Sequence, residues 1–332
     1  MPPPAPETRL VFARVAWLTL AYTIAVVVWG AYVRATGSGA GCGAHWPLCD
    51  GVVLPRSPRL ETVIELTHRV TSGIDLLLVL LLGLWARLRF PPRDRVRRAA
   101  LASVLLMLSE ALIGAGLVLF GLVADDRSEV RAGVLALHLT NTFLLLAALA
   151  LTAHFARHPA PAVAGRRWSW GGALGALAAM LVIGTTGAVT ALGDTLFPAE
   201  SLRHGLAQDV SPTAHLLVRV RVWHPLFAVA GSIAIAAFAT GCQRRFAGAL
   251  GRLSALLVAL LTTQLLAGAV NVALLAPVWL QLVHLALADA IWIVLVVLVA
   301  AARDAELAAH QTSSGPIIAS PIGTAALPKG PG

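Results

Sequence analysis

The chain has 332 residues, is 58% hydrophobic and only 12% charged, and carries a formal net charge of +9 at pH 7. Soluble domains carry about 25% charged residues, so this composition excludes an ordinary soluble enzyme and belongs to the membrane class. Nucleic acid is a poor explanation of the positive charge, because the arginines are dispersed among loops and lack a stacking face.

A transmembrane helix needs about 20 mostly apolar residues. Taken in chain order, eight segments qualify: 15–34, 62–85, 99–122, 132–155, 169–192, 219–240, 253–275 and 279–301. None has the alternating ten-residue pattern of an outer-membrane barrel. The expected fold class is therefore an all-α membrane protein with eight transmembrane helices. Residues 1–14 form a short N-terminal segment. The apolar stretch of the first span is too long for a cleaved signal peptide and no small-residue cleavage site follows, so it reads as a permanent helix. Residues 156–168 read as a linker between two halves, 15–155 and 169–301. Residues 302–332, rich in Pro, Ala and Gly, read as a disordered tail.

Basic residues set the orientation. With both termini cytoplasmic, sixteen fall inside and eight outside. The net charge is then a topology signal and a contact with anionic lipid heads.

The first outer loop, 35–61, carries the clearest local motif: Thr36, Gly37, Ser38 and Gly39, then Cys42, Trp46, Pro47, Leu48 and Cys49. Two cysteines on an oxidising face read as a disulfide, Cys42–Cys49. That bond is either a staple or a redox participant. Cys242, near the inner end of the sixth span, reads as a free thiol.

The two halves resemble each other. Glu110 and Gly114 of the third span match Gln264 and Gly268 of the seventh, and Leu137, His138 and Leu139 of the fourth match Val283, His284 and Leu285 of the eighth. His68 and His224 come early in the second and sixth spans. Four helices per repeat keep both halves in one orientation, which predicts two four-helix bundles related by a pseudo-twofold axis along the membrane normal. All four histidines then share one layer near the extracytoplasmic face, about 8–10 Å below the helix ends at 1.5 Å per residue.

An ionisable ring inside a span is costly and usually functional. Two imidazoles at equal depth are what an iron porphyrin needs for its axial bonds. The pairs are His68 with His138, and His224 with His284. Arg221 stands three residues before His224, on the same helical face, where it either meets a haem propionate or snorkels to the interface. Glu65 stands in the same relation to His68. It either pairs with Arg69 one turn on or serves the site as an acid in proton transfer. An electron-transfer haem needs no such group, so the reaction site is expected in the N-terminal half. Asp75, Glu110, Asn141, Asn271 and Asp289 read as structural helix–helix links. His154, His158, His204, His215 and His310 lie at helix ends or in loops and are not read as ligands.

Taken together, the Thr36–Cys49 loop, Glu65, Leu66, Thr67, His68 and Arg69, and His138, His224 and His284 resemble the haem A synthase family, in its cysteine-containing subgroup. The resemblance covers about 10–302. It implies oxidation of the C8 methyl of haem O in two steps, the hydrate then losing water to give the formyl group of haem A for a terminal oxidase. It implies substrate haem at His68 and His138, Glu65 moving a proton or stabilising positive charge, and haem b as cofactor on His224 and His284. It also implies a bacterial cell membrane, and haem O synthase and oxidase assembly factors as partners; a homo-oligomer stays open. The rival readings are a di-haem b-type electron carrier, for which Glu65 is dispensable, and a secondary transporter, which needs broken helices around a midplane site.

Overall fold

A computed structural model describes residues 4–159 and 171–313 and is all helical, with no strand among the described residues. Eight helical stretches are long and apolar enough to cross a membrane, and the chain is a multi-pass membrane protein. In the first half these are α1 (Pro6–Ala35), α2 (Leu60–Arg89), α3 (Arg95–Leu119) and α4 (Glu129–Arg157). The second half has α5 (Gly171–Leu196), two short helices α6 (Leu202–Asp209) and α7 (Leu216–Arg219), then α8 (Trp223–Arg245), α9 (Ala249–Ala273) and α10 (Val278–Ser313).

Most helices outrun the apolar segments expected of them, because a helix continues through the interfacial zone wherever its ends are satisfied. Pro6 starts α1 at a position where a missing N–H costs nothing. Asp94 and Ser128 cap α3 and α4 by accepting from the backbone N–H groups of Val96 and Arg131. The largest difference is at the C-terminus. There α10 continues to Ser313, so the expected disordered tail 302–332 begins as helix; 314–332 lies outside the described residues, as does most of the expected linker 156–168.

Each half closes as a ring of four neighbours. In the first, α1 touches α2, α2 touches α3, α3 touches α4, and α4 returns to α1; in the second, α5, α8, α9 and α10 do the same. The halves meet through α4 and α10, which also touch α5 and α1 of the opposite half. One turn repeats bond for bond. After α3, the N–H groups of Phe120, Gly121 and Leu122 donate to Gly116, Val118 and Leu117; after α9, those of Leu274, Leu275 and Ala276 donate to Val270, Val272 and Asn271.

The buried core lies on the α4–α10 seam. Phe143 and Trp292 stack with ring centroids 5.5 Å apart, and the indole N–H donates to the Phe143 carbonyl. A Cβ at Gly184 of α5 would stand 2.5 Å from the Phe143 ring, so that glycine lets the halves close. On the outside, Leu77, Leu81, Leu84 and Leu88 of α2 and Leu101, Leu105, Leu108 and Leu112 of α3 form exposed rows at helical spacing. In water such rows would be a liability; against lipid they are the expected surface.

Candidate functional site

His68, His138, His224 and His284 sit on α2, α4, α8 and α10, six to nine residues past the start of their spans. Even-numbered spans all run in one direction, so the four histidines come at similar distances along the chain from the same-side ends of their spans. His68 lies within electrostatic reach of His138, and His224 within reach of His284. All four residues are half-buried.

Each ring lies against a glycine of a neighbouring odd-numbered span. A Cβ at Gly30 of α1 would lie 2.8 Å from His68 Cε1, and one at Gly114 of α3 would lie 4.0 Å from His138 Cε1. In the second half, a Cβ at Gly187 of α5 would lie 3.0 Å from His224 Cε1, and one at Gly268 of α9 would lie 3.1 Å from His284 Cε1. Gly114 and Gly268 marked the repeat in the sequence without revealing this job. Gly30 and Gly187 were missed, although their separation is almost that of His68 and His224.

The Nδ1 atoms turn into protein. His224 Nδ1 lies 3.2 Å from the Thr186 hydroxyl. His138 Nδ1 lies 3.2 Å from Glu110 Oε1, at ion-pair range but off the line of a good hydrogen bond. His68 and His284 Nδ1 are buried without hydrogen-bond partners among the described residues. Paired imidazoles, three of the four set where an added methyl would crowd the ring, fit a haem that would be held through two ring nitrogens. A zinc site does not fit, since no group of three or more His, Cys, Asp or Glu side chains suited to a metal ion forms among the described residues.

Glu65 is buried, with 3% exposure, and both its oxygens are occupied. Arg69, one turn on, holds Oε1 through Nε and Nη2, which is the ion pair the spacing allowed. The Cys42 amide donates to Oε2 at 2.7 Å. Cys42 and Cys49 form the disulfide. The backbone just before Cys42 presses onto the start of α2: Thr62 Oγ1 donates to the Gly41 carbonyl at 2.7 Å, and a Cβ at Gly41 would collide with Glu61 backbone at 2.4 Å. Arg69 Nη1 also reaches the Leu48 carbonyl at 2.6 Å.

Arg221 lies in the 3-10 turn Val220–Val222 that leads into α8, three residues ahead of His224. Its guanidinium is buried against protein. Nη1 meets Asp194 at 2.9 Å, Nε lies 3.4 Å from Asp209, and Nη2 donates to the Phe197 carbonyl. Burial raises the Asp209 carboxyl above its ordinary value, against the pull of Arg221. Arg34, at the outer end of α1, joins the halves by donating to the Ala191 carbonyl and Thr195 of α5 and to Gln281 of α10.

Of the polar residues read as helix links, Asp75 accepts from Thr23, and Asn141 meets Glu110, Ser109 and the Leu106 carbonyl. Asp289 departs from that expectation: it is fully buried and neither oxygen has a hydrogen-bond partner among the described residues. Cys242 is a buried free thiol.

Fold and site together define a multi-pass membrane protein whose two halves each bring a pair of imidazoles together near one face. Residues 13–296 match the model of the family described as cytochrome oxidase assembly protein, and the chain belongs to that family. It is 49% identical over 295 residues to a protein of Thermus thermophilus named protoheme IX farnesyltransferase, a match covering 87% of this chain and 48% of that one. Two proteins named heme A synthase match shorter stretches. That of Alkalihalophilus pseudofirmus is 40% identical over 126 residues, 38% of this chain and 40% of its own length. That of Shouchella clausii is 39% identical over 132 residues, 40% of this chain and 44% of its own. The chain thus spans about half the length of the curated relatives it matches.

Proposed function

We propose that this chain is a haem A synthase, converting the C8 methyl of haem O to a formyl group by two successive oxidations. The observation that carries the reading is the asymmetry between otherwise matched halves. Both have paired, glycine-cleared histidines, and only the first sets an anchored carboxylate, Glu65, one turn before a histidine.

His68 and His138 hold the substrate porphyrin, which the glycine at each ring allows close to helix backbone. Glu65 cannot swing, because Arg69 and the Cys42 amide fix its oxygens. It therefore serves as a fixed negative charge against positive charge developing beside the methyl group. The disulfide loop covers this end of the pocket and limits water. His224 and His284 hold haem b, which when bound supplies an electron relay. Thr186 at Nδ1 keeps the His224 tautomer that leaves Nε2 for iron. Arg221, donating to Asp194 and the Phe197 carbonyl and lying beside Asp209, supports the fold around this second site rather than a propionate.

The orientation read from the basic residues puts both termini in the cytoplasm and the site at the outer face of a bacterial cell membrane. The name of the Thermus relative supports a haem farnesyltransferase as the enzyme that supplies the substrate. The product passes to terminal oxidase assembly, and the matching neighbour pattern of the halves supports the pseudo-twofold axis.

Pigment extraction from cells that make haem O, expressing wild type or Glu65→Ala, tests the assignment. Wild type should accumulate haem A, and the variant should keep its bound haem while haem O persists. Haem A formation by the variant, or no low-spin b-type spectrum in the purified wild type, overturns it.

A further inference from the structure

Glu110 lies in mid-span on α3, and its carboxylate contacts named here all belong to α4. Oε2 accepts from Asn141 Nδ2 at 2.6 Å, Oε1 accepts the Thr142 hydroxyl, and Oε1 lies 3.2 Å from His138 Nδ1. Asn141 is fixed in turn, donating to the Leu106 carbonyl at 2.9 Å and accepting from Ser109 at 2.7 Å. The acid is thus held on several sides and faces the imidazole.

The repeat supplies an internal control. Gln264 occupies the matching place on α9, but its Nε2 donates to the backbone carbonyl of His284 at 3.1 Å. Neither His138 Nδ1 nor His284 Nδ1 makes a well-aligned hydrogen bond among the described residues, yet His138 Nδ1 has a carboxylate oxygen at 3.2 Å and no ion pair to His284 is seen there. A helix–helix link through Nε2 accounts for Gln264, its Oε1 having no hydrogen-bond partner among the described residues. It does not explain Glu110, because an amide would join the helices without the cost of burying a carboxylate.

We infer that Glu110 is a positioning residue for the first haem site. It orients His138 through Nδ1, leaves Nε2 as the ligating nitrogen, and makes this imidazole a more basic ligand than His284. A carboxylate behind a ligating histidine fixes the ring and raises its basicity. The inference rests on the reading of His68 and His138 as the substrate-haem pair, and it adds that the two matched sites hold iron with unequal ligand strength.

The full chain, purified in detergent, is titrated with haem B, which presents the same iron as the substrate, and binding and reduction potential are followed optically. In wild type, two sites should fill. Glu110→Gln keeps the side-chain shape and can still accept from Asn141, its amide N–H then donating to the Thr142 hydroxyl, which turns its proton to the His138 carbonyl. It should weaken one site about 10–100-fold, raise the reduction potential of that same site, and leave the other unmoved. Glu110→Asp, retaining the acid, should stay closer to wild type on both measures. Unchanged affinities and potentials in Glu110→Gln overturn the inference, as does a loss of thermal stability with both potentials unmoved, which marks a helix link alone. Should Glu110→Gln take no haem at that site, retention by Glu110→Asp supports the inference and equal loss overturns it. A wild-type chain that fills a single site sinks the pairing itself, and this inference with it.

Discussion

The Cys42 amide donates to Glu65 Oε2 at 2.7 Å, so the disulfide-closed loop and the acid one turn before His68 form one unit. Opening the loop should release the acid. By loop length alone, a closure this short restrains the unfolded chain by about 2–3 kcal/mol. The variant Cys42→Ser with Cys49→Ser is expected to convert less haem O while the haem on His224 and His284 stays bound. The check is the ratio of haem A to haem O in extracts alongside the b-type spectrum of the purified protein. Full conversion without the cysteines would reduce the bond to a staple.

Arg69 is the other half of that unit, and the pair is almost sealed, with 10% and 4% side-chain exposure. Removing one partner of a buried pair leaves an uncompensated charge, at a cost of about 3–5 kcal/mol. Arg69→Met should therefore lower the thermal midpoint in detergent. Glu65→Gln with Arg69→Met should recover part of that stability, since neither charge is then stranded, and should still fail to make haem A. Equal stability of the single and double variants would show that the two side chains are not coupled.

The eight spans were legible because a lipid-facing helix must be apolar over about 20 residues, and nothing else in this chain is. The histidines were legible for the complementary reason, that an ionisable ring stands out in such a run. What surrounds them was not. Gly30 and Gly187 looked like ordinary small residues of membrane helices, and only the fold shows His68 and His224 against them. Glu110 read as a helix link because its repeat mate is Gln264; which atom of α4 each meets depends on side-chain reach that spacing does not encode. The spacing set Arg221 three residues before His224 but could not show that Asp194 and the Phe197 carbonyl, from the end of α5 and the loop after it, meet its guanidinium.

Leu275 holds φ of +61° in the turn from α9 to α10, where its counterpart after α3 is Gly121 at +68°. A side chain with a Cβ pays roughly 1–2 kcal/mol to sit in the left-handed region. Leu275 is 40% exposed, so little packing is lost by trimming it. Leu275→Gly is expected to gain up to about 1 kcal/mol after the entropy of glycine is counted, and Gly121→Leu to lose a similar amount. Thermal unfolding of both variants in one detergent gives the comparison. A fall in stability for Leu275→Gly would mean that the leucine makes contacts that outweigh its backbone strain.

The glycine cradle makes a graded prediction that a general loss of packing would not. An added methyl would come within 2.8 Å of His68 at Gly30, 3.0 Å of His224 at Gly187 and 3.1 Å of His284 at Gly268, but only 4.0 Å of His138 at Gly114. Contacts of about 4 Å are ordinary, whereas overpacking typically costs about 1–3 kcal/mol as the neighbour is driven off its rotamer. Here the neighbour is the ring that would bind iron, so displacement should appear as lost haem before it appears as lost fold. Gly30→Ala should deplete the first site most, Gly187→Ala and Gly268→Ala should deplete the second to a lesser extent, and Gly114→Ala should resemble wild type. Haem per protein after reconstitution with haem B, with low-spin electron paramagnetic resonance of each variant, reads the order directly. Equal losses across all four would point to helix packing alone, and a Gly114→Ala protein worse than Gly30→Ala would mean that the rings do not sit as described.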